Sequence, residues 1–369
     1  MKIIIRNCNV AELDIPLKYA TKLYNEFAIR HPNAFYLRTR QRGMQNWDGK
    51  IKYITKTGQF KIGLLPSVYK RCIELGIKPI IVDMRQPLPK VSKVVTQIGK
   101  YKLRPEQEKA VKAILSNKLG ETPFQIGVLD YTVNAGKTLI MSSLYLSYKK
   151  QLKTLLITND SDWLNQARDE FKQYLPGEDI TFVQGKVLNW SNFTIGMVQS
   201  ISRNMKYYQN ELAKIDMVLI DEADQGGSKQ YQNVITRLFN TRVRIGLSGT
   251  IYMSKLAKDK VKNMNLRCFF GDVIAEFKLK DSIKKGYSTK TIVKTVEGKP
   301  WFGNWESDCM SYNEIYDDSI THNKIAWTMA LDRLKWNLNQ GRYPALVVCK
   351  HIAHCENLCK FFKKKLDNK

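Results

Sequence analysis

From Tyr101 onward the chain repeats one pattern: a short, almost continuously apolar run, then a stretch with helical spacing. "QIGVLD", "TLLITN", "FTIGMVQS", "DMVLIDEAD" and "VRIGLSGT" predict strands, and "RPEQEKAVKAILSNK", "KTLIMSSLYLSYKK", "WLNQARDEFKQYL" and "KQYQNVITRLF" predict helices. Strands apolar on both sides, with helices between them, are the signature of a parallel sheet covered on both faces, an α/β fold. The first ~95 residues read differently, as a small α+β domain. There "MKIIIRN", "KIKYITKTG" and "KPIIVD" predict strands, and "PLKYATKLYNEFA" and "LLPSVYKRCIELG" predict helices, the second closed by Gly76. "MRQPLPKVSKV", with two prolines and no periodicity, reads as a linker. A further unit is expected from about Cys268, with a helix in "NKIAWTMALDRLKWNLNQG", a strand in "PALVVCK" and a helix in "HCENLCKFFKKKL". The expected domains are therefore residues 1–96, 97–275 and 276–369.

Charge narrows the partners. The net charge of +26 opposes compaction unless a polyanion neutralises it. Residues 1–100 hold 19 of the 60 Lys and Arg but only 6 of the 34 Asp and Glu. The N-terminal region is thus expected to contact nucleic acid, ahead of the rival, an anionic membrane. No apolar run reaches the ~18 residues of a membrane span. The opening "MKIIIRNCNVAELD" meets acidic residues too early for a secretory signal. Seven cysteines, an odd number without framework spacing, predict free thiols in a reducing compartment, the cytoplasm.

"VLDYTVNAGKTLI" supplies the chemistry. An apolar strand, a turn and a helix bring Gly-Lys-Thr to a helix N-terminus, where backbone N–H groups bind phosphate oxygens. Thr132, Asn134, Ala135, Gly136, Lys137 and Thr138 form the expected ATP loop. Lys137 would reach the β/γ-phosphates and Thr138 would place its hydroxyl on Mg²⁺. Tyr131 stands where the usual pattern has its first glycine, and Asn134 tolerates positive φ. In "MVLIDEAD", Asp221 would hold Mg²⁺ and Glu222 would polarise the attacking water. "RIGLSGT" follows, and "LRPEQEKAV" precedes the loop.

These four elements, in this order, resemble superfamily 2 helicases, and the resemblance covers roughly residues 100–369. It implies a RecA-like P-loop NTPase domain, with ATP and Mg²⁺ as cofactors. It assigns Arg104 and Gln107 to contact with the base, and Gln199 and Ser200 of "IGMVQSI" to the nucleic-acid backbone. Asp224, Ser248, Gly249 and Thr250 would couple hydrolysis to strand movement. "ALVVCKHIAHCENLCKFF" resembles the first strand and helix of a second RecA-like domain. No Q-x-x-G-R-x-x-R string follows, so the expectation is a second domain truncated or completed by a separate chain, which puts unaided hydrolysis in question.

"NWDGK" ahead of such a motor is similar to the N-terminal domain of phage UvsW-type helicases. That resemblance implies an ATP-dependent motor acting on branched DNA or R-loops in recombination, repair and replication. Trp47 reads as a core aromatic at a turn made by Asp48 and Gly49. Arg38, Arg40, Arg42, Lys50 and Lys52 are the candidates for phosphate contact. Two other readings stay open: a translocase subunit of a restriction or remodelling assembly, and a nucleotide-gated DNA-binding or annealing protein without turnover. An RNA-directed role also remains, because the "DEAD" spelling is shared with RNA helicases. Cys349, His351, His354, Cys355 and Cys359 admit a zinc site, but a strand and helix explain them better as core thiols. Trp301 and Trp305 mark an aromatic insertion, either packed on the motor or touching nucleic acid.

Overall fold

The structure, a computed structural model, describes residues 1–40, 43–187, 190–252, 257–290, 311–342 and 345–366. Its contacts gather into two units, Met1–Lys290 and Thr291–Lys369. The expected domains 1–96 and 97–275 share the first.

The N-terminal region begins with β1 (Lys2–Ile5), β2 (Val10–Asp14), α1 (Leu17–Glu26), β3 (Ala28–Arg30) and α2 (Ala34–Arg40). It continues through β4 (Lys50–Lys52), β5 (Gln59–Lys61), α3 (Leu65–Glu74) and β6 (Ile80–Asp83). A four-stranded sheet runs β5-β2-β1-β6, with β1 and β6 parallel. Sequence reading passed over β2, whose polar Glu12 and Asp14 interrupt the apolar signal.

Two short hairpins, β7 (Gln97–Ile98) with β8 (Tyr101–Lys102) and β9 (Lys118–Leu119) with β10 (Thr122–Pro123), flank α4 (Pro105–Leu115). The motor follows as β11 (Ile126–Tyr131), α5 (Lys137–Ser147), β12 (Thr154–Thr158), α6 (Ser161–Tyr174), β13 (Ile180–Val183) and β14 (Phe193–Met197). Then come α7 (Val198–Arg203), α8 (Met205–Ala213), β15 (Met217–Asp221), α9 (Lys229–Ile235), β16 (Val243–Ser248), α10 (Ala257–Phe270), β17 (Val273–Phe277) and α11 (Leu279–Lys284). Seven parallel strands lie in the order β13-β14-β12-β15-β16-β11-β17, the RecA-like α/β arrangement. Every residue of β11, β12, β15 and β16 is buried, which is why their sequences show no alternation.

One face of this sheet packs with the N-terminal region in a single core that joins Ile3, Phe60 and Val68 to Val128, Ile220 and Phe270. That continuity, rather than a linker, accounts for one contact unit. α10 is the bridge. A Cβ at Gly63 would run into the backbone carbonyls of Arg267 and Cys268, so glycine permits the close approach. The expected start of a further unit near Cys268, with its boundary at 276, falls inside α10 and β17. β17 pairs with β11, so the motor extends past that boundary.

The second unit holds α12 (Tyr312–Tyr316), α13 (Lys324–Asn339) and α14 (Ile352–Leu366), with Leu331, Leu358 and Phe362 at its core. The strand expected in "PALVVCK" does not form: its described residues are irregular, and Leu346 and Val348 are exposed. A strand needs a ladder partner for its backbone groups, and no strand is present among the described residues of this unit. Cys355 and Cys359 are exposed, which corrects their reading as core thiols. His354 alone of that cluster is buried, stacked 6.2 Å from Trp327. Among the described residues no group of three metal-ligating side chains occurs. Trp301, Trp305 and Arg42 lie outside the described residues.

Candidate nucleotide site

β11 delivers the chain to a loop, Thr132 to Gly136, that opens α5 at Lys137. Asn134 and Gly136 both take left-handed backbone, with φ of 63° and 72°. This is the geometry that turns successive N–H groups toward one point. At Gly136 a Cβ would collide with the Gln107 amide, so only glycine fits.

Tyr131 explains its own departure from the usual pattern. Its ring is fully buried against Phe277, 6.0 Å between centroids. Its hydroxyl donates to the Glu106 carbonyl at 2.8 Å, tying β11 to α4. Burial pushes this phenol up to about 12, so it stays a donor.

α4 braces the loop from the other side. Gln107 Nε2 donates to Ala135 O at 2.9 Å, and its Oε1 accepts from Arg104 N at 2.8 Å. Arg104 Nη2 donates to Asn134 O at 3.1 Å while the guanidinium stacks 4.3 Å from the Tyr287 ring. Both residues assigned to base contact therefore hold the loop's carbonyls.

The acidic motif ends β15, two strands from β11 with β16 between them. Asp221 is buried, and its Oδ1 accepts no hydrogen bond among the described residues. Lys137 Nζ lies 4.0 Å from Glu222 Oε1. Burial raises the pKa of both carboxyls, and Lys137 opposes this. Glu222 sits at φ 50°, a strained left-handed backbone of the kind found at functional positions. Ser248 Oγ donates to Asp224 Oδ1 at 2.9 Å and accepts from Thr250 N at 3.2 Å. Gly249 packs on Thr132 of the phosphate loop. Asp224, Ser248, Gly249 and Thr250 thus connect the two motifs directly.

A second chain of contacts was not anticipated. Gln199 Nε2 donates to Asn159 O at 3.1 Å, and Asn159 Nδ2 donates to Gln225 Oε1, beside the acidic motif. Ser200 Oγ accepts from Gly185 N at 3.1 Å. Both expected backbone-contacting residues are engaged within the protein. Asn159, at the end of β12 in "LLITNDSD", could have been found as a polar residue closing an apolar strand on the same sheet edge as Lys137 and Asp221.

Of the basic candidates, Arg38, Arg40 and Lys50 are exposed, with Arg40 stacked 4.2 Å from the Tyr36 ring. Lys52 is partly neutralised by Asp48 at 3.2 Å. Trp47 Nε1 donates to Lys50 O at 2.9 Å, closing the turn.

The donor set fits a nucleotide with its Mg²⁺. Thr138 and Asp221 would hold the ion, and the buried unpartnered oxygen of Asp221 is a ligand-ready group.

Comparison with known proteins agrees. Residues 100–253 match the family described as Type III restriction enzyme, res subunit. The ATP-dependent DNA helicase uvsW of Enterobacteria phage T4 is 22% identical over 351 residues, 87% of this chain and 65% of that protein. The chain therefore spans just under two thirds of that relative's length. A putative ATP-dependent RNA helicase, L396 of Acanthamoeba polyphaga mimivirus, is 25% identical over 147 residues, 40% of this chain and 27% of that one. A crystal structure of the T4 UvsW helicase superposes with a TM-score of 0.58 at 20% identity, covering 74% of this chain and 100% of that one. A second T4 UvsW structure gives 0.57 at 19%, covering 99% and 73%. At these identities the superpositions speak to the fold.

Proposed function

We propose that this chain, similar in sequence to the uvsW helicase of phage T4 and RecA-like in fold, is the motor of an ATP-dependent DNA helicase or translocase. Its substrate would be branched DNA or R-loops, in phage recombination, repair and replication. The observation that carries the reading is the convergence of Lys137, Asp221 and Glu222, with an unpartnered oxygen on Asp221. Lys137 meets the phosphates, Asp221 holds the metal ion, and Glu222 orients water and takes up its proton. The bound Mg²⁺ supplies neutralisation of phosphate charge. Arg104 and Gln107 sense the base through the loop they brace. Asp224 and Ser248 transmit the state of the acidic motif to the phosphate loop through Thr250 and Gly249. Arg38, Arg40 and Lys50 contact DNA phosphates, and Gln199 and Ser200 fix the loops that follow β12 and β13.

The test is ATP turnover by the full chain, with and without forked DNA, beside Lys137→Ala. DNA-stimulated turnover that the variant loses is the expected result. ATP and DNA binding without turnover would instead support the nucleotide-gated binding protein. Turnover with translocation but no strand displacement would support the translocase subunit.

A further inference from the structure

At the amino ends of the strands, opposite the nucleotide site, the segment after β6 leaves a cavity of about 1020 Å³. Arg85 and Arg242 line it, and both also line an adjoining cavity of about 630 Å³. Their side chains are 2% and 9% exposed. Both pair with the same carboxylate. Asp83 accepts from Arg85 Nε at 2.8 Å and Nη2 at 2.9 Å, and from Arg242 Nη2 at 3.3 Å. Arg242 Nη1 donates to Gln86 O. That leaves Arg85 Nη1 and Arg242 Nε buried without partners among the described residues.

Two buried guanidiniums sharing one carboxylate keep an uncompensated positive charge, which is costly unless an anion completes it. Burial and the neighbouring Arg85 charge both push the Arg242 pKa down, as that imbalance requires. Lys90, Lys93 and Lys112 add positive charge to the walls, and Glu121 the opposite. Leu88, Leu115 and Tyr148 give one apolar side.

We propose that this cavity is a second anion site, independent of the phosphate loop, for a small phosphate-bearing molecule whose charged end is held by the positive charge of the Arg85 and Arg242 guanidiniums in its wall. Guanidinium forks match phosphate oxygens well. Free orthophosphate and a nucleoside monophosphate share that chemistry, and the apolar wall discriminates them.

The experiment uses the full chain carrying Lys137→Ala, which removes the phosphate loop's cation. Inorganic phosphate and AMP are titrated by calorimetry into this protein and into the same protein with Arg242→Met. A third protein carries Ser116→Trp, at an exposed residue of the cavity wall. Saturable phosphate binding is expected, weakened about tenfold or more by Arg242→Met and blocked by Ser116→Trp. AMP binding more tightly than phosphate would identify the nucleotide as the ligand. Equal affinity would identify orthophosphate. Absence of saturable binding, or binding that both substitutions leave unchanged, overturns the site. Circular dichroism of each variant separates lost binding from lost fold, and Ser116→Trp decides if Arg242→Met fails to fold.

Discussion

The two ends of the seven-stranded sheet carry polar clusters of opposite sign. At the carboxyl ends Asp221, Glu222 and Asp224 face one lysine, Lys137. At the amino ends Arg242 and Arg244 meet the N-terminal region. Arg244, 1% exposed, donates from Nη2 to Cys8 O and Asn9 Oδ1, both at 2.8 Å, and from Nη1 to Phe269 O at 3.2 Å. Burial lowers its pKa to about 10. Both ends keep buried polar atoms without partners among the described residues, and such atoms cost stability. They differ in what that cost serves. The acidic end adjoins the left-handed loop at Asn134 and Gly136, and on the proposed function its imbalance serves nucleotide binding. Much of the basic end is satisfied by backbone carbonyls and holds two modules together.

Four substitutions press on this contrast. Lys137→Ala should cut ATP turnover by about 10²–10³-fold, measured at steady state, with the fold intact by circular dichroism. A smaller loss would mean that the acidic end is not organised around phosphate. Arg244→Ala should cost about 2–4 kcal/mol, read from denaturant midpoints, because three acceptors lose their donor. If stability were unchanged, the basic end would be no fastening at all.

Asp221→Asn should abolish turnover yet raise stability by about 1 kcal/mol. The sign follows from the raised carboxyl pKa: the folded state binds that proton more tightly than the unfolded chain. Wild-type stability therefore gains on the variant as pH falls through the folded pKa. Thermal melts across acid and neutral pH would show the gap narrowing. A gap independent of pH would remove Asp221 from the imbalance. Tyr131→Phe should cost about 1 kcal/mol with turnover nearly retained, because only the bond to the Glu106 carbonyl is lost. A collapse of turnover would place the phenol in the site instead.

The acidic end was legible because its chemistry requires particular residues at fixed spacing beside apolar strands. The basic end was not, because in "TRVRIGLSGT" the apolar run outweighed its two arginines. Arg242 and Arg244 stand two apart, hence on one face of a strand, and that period was the available signal. Tyr131 could not be interpreted from spacing alone, since only packing shows its ring buried against Phe277 and its hydroxyl on the Glu106 carbonyl. α10 escaped notice because charges in "KDKVKNMNLRCFF" blur its apolar stripe. "PALVVCK" was overcalled for the opposite reason: composition favours a strand, but a ladder partner decides it. The bracing role of Gln107 was hidden as well, because a resemblance names a contact without saying which atoms the side chain already holds.

The Arg244 guanidinium gathers carbonyls and an amide from β16's neighbours at Cys8–Asn9 and from the end of α10 into one knot. None of these three bonds can open alone without stranding a charge away from water. In hydrogen–deuterium exchange, the amides of β1, β2 and β16 should therefore lose protection together, as one cooperative opening, and not strand by strand from the edge of either sheet.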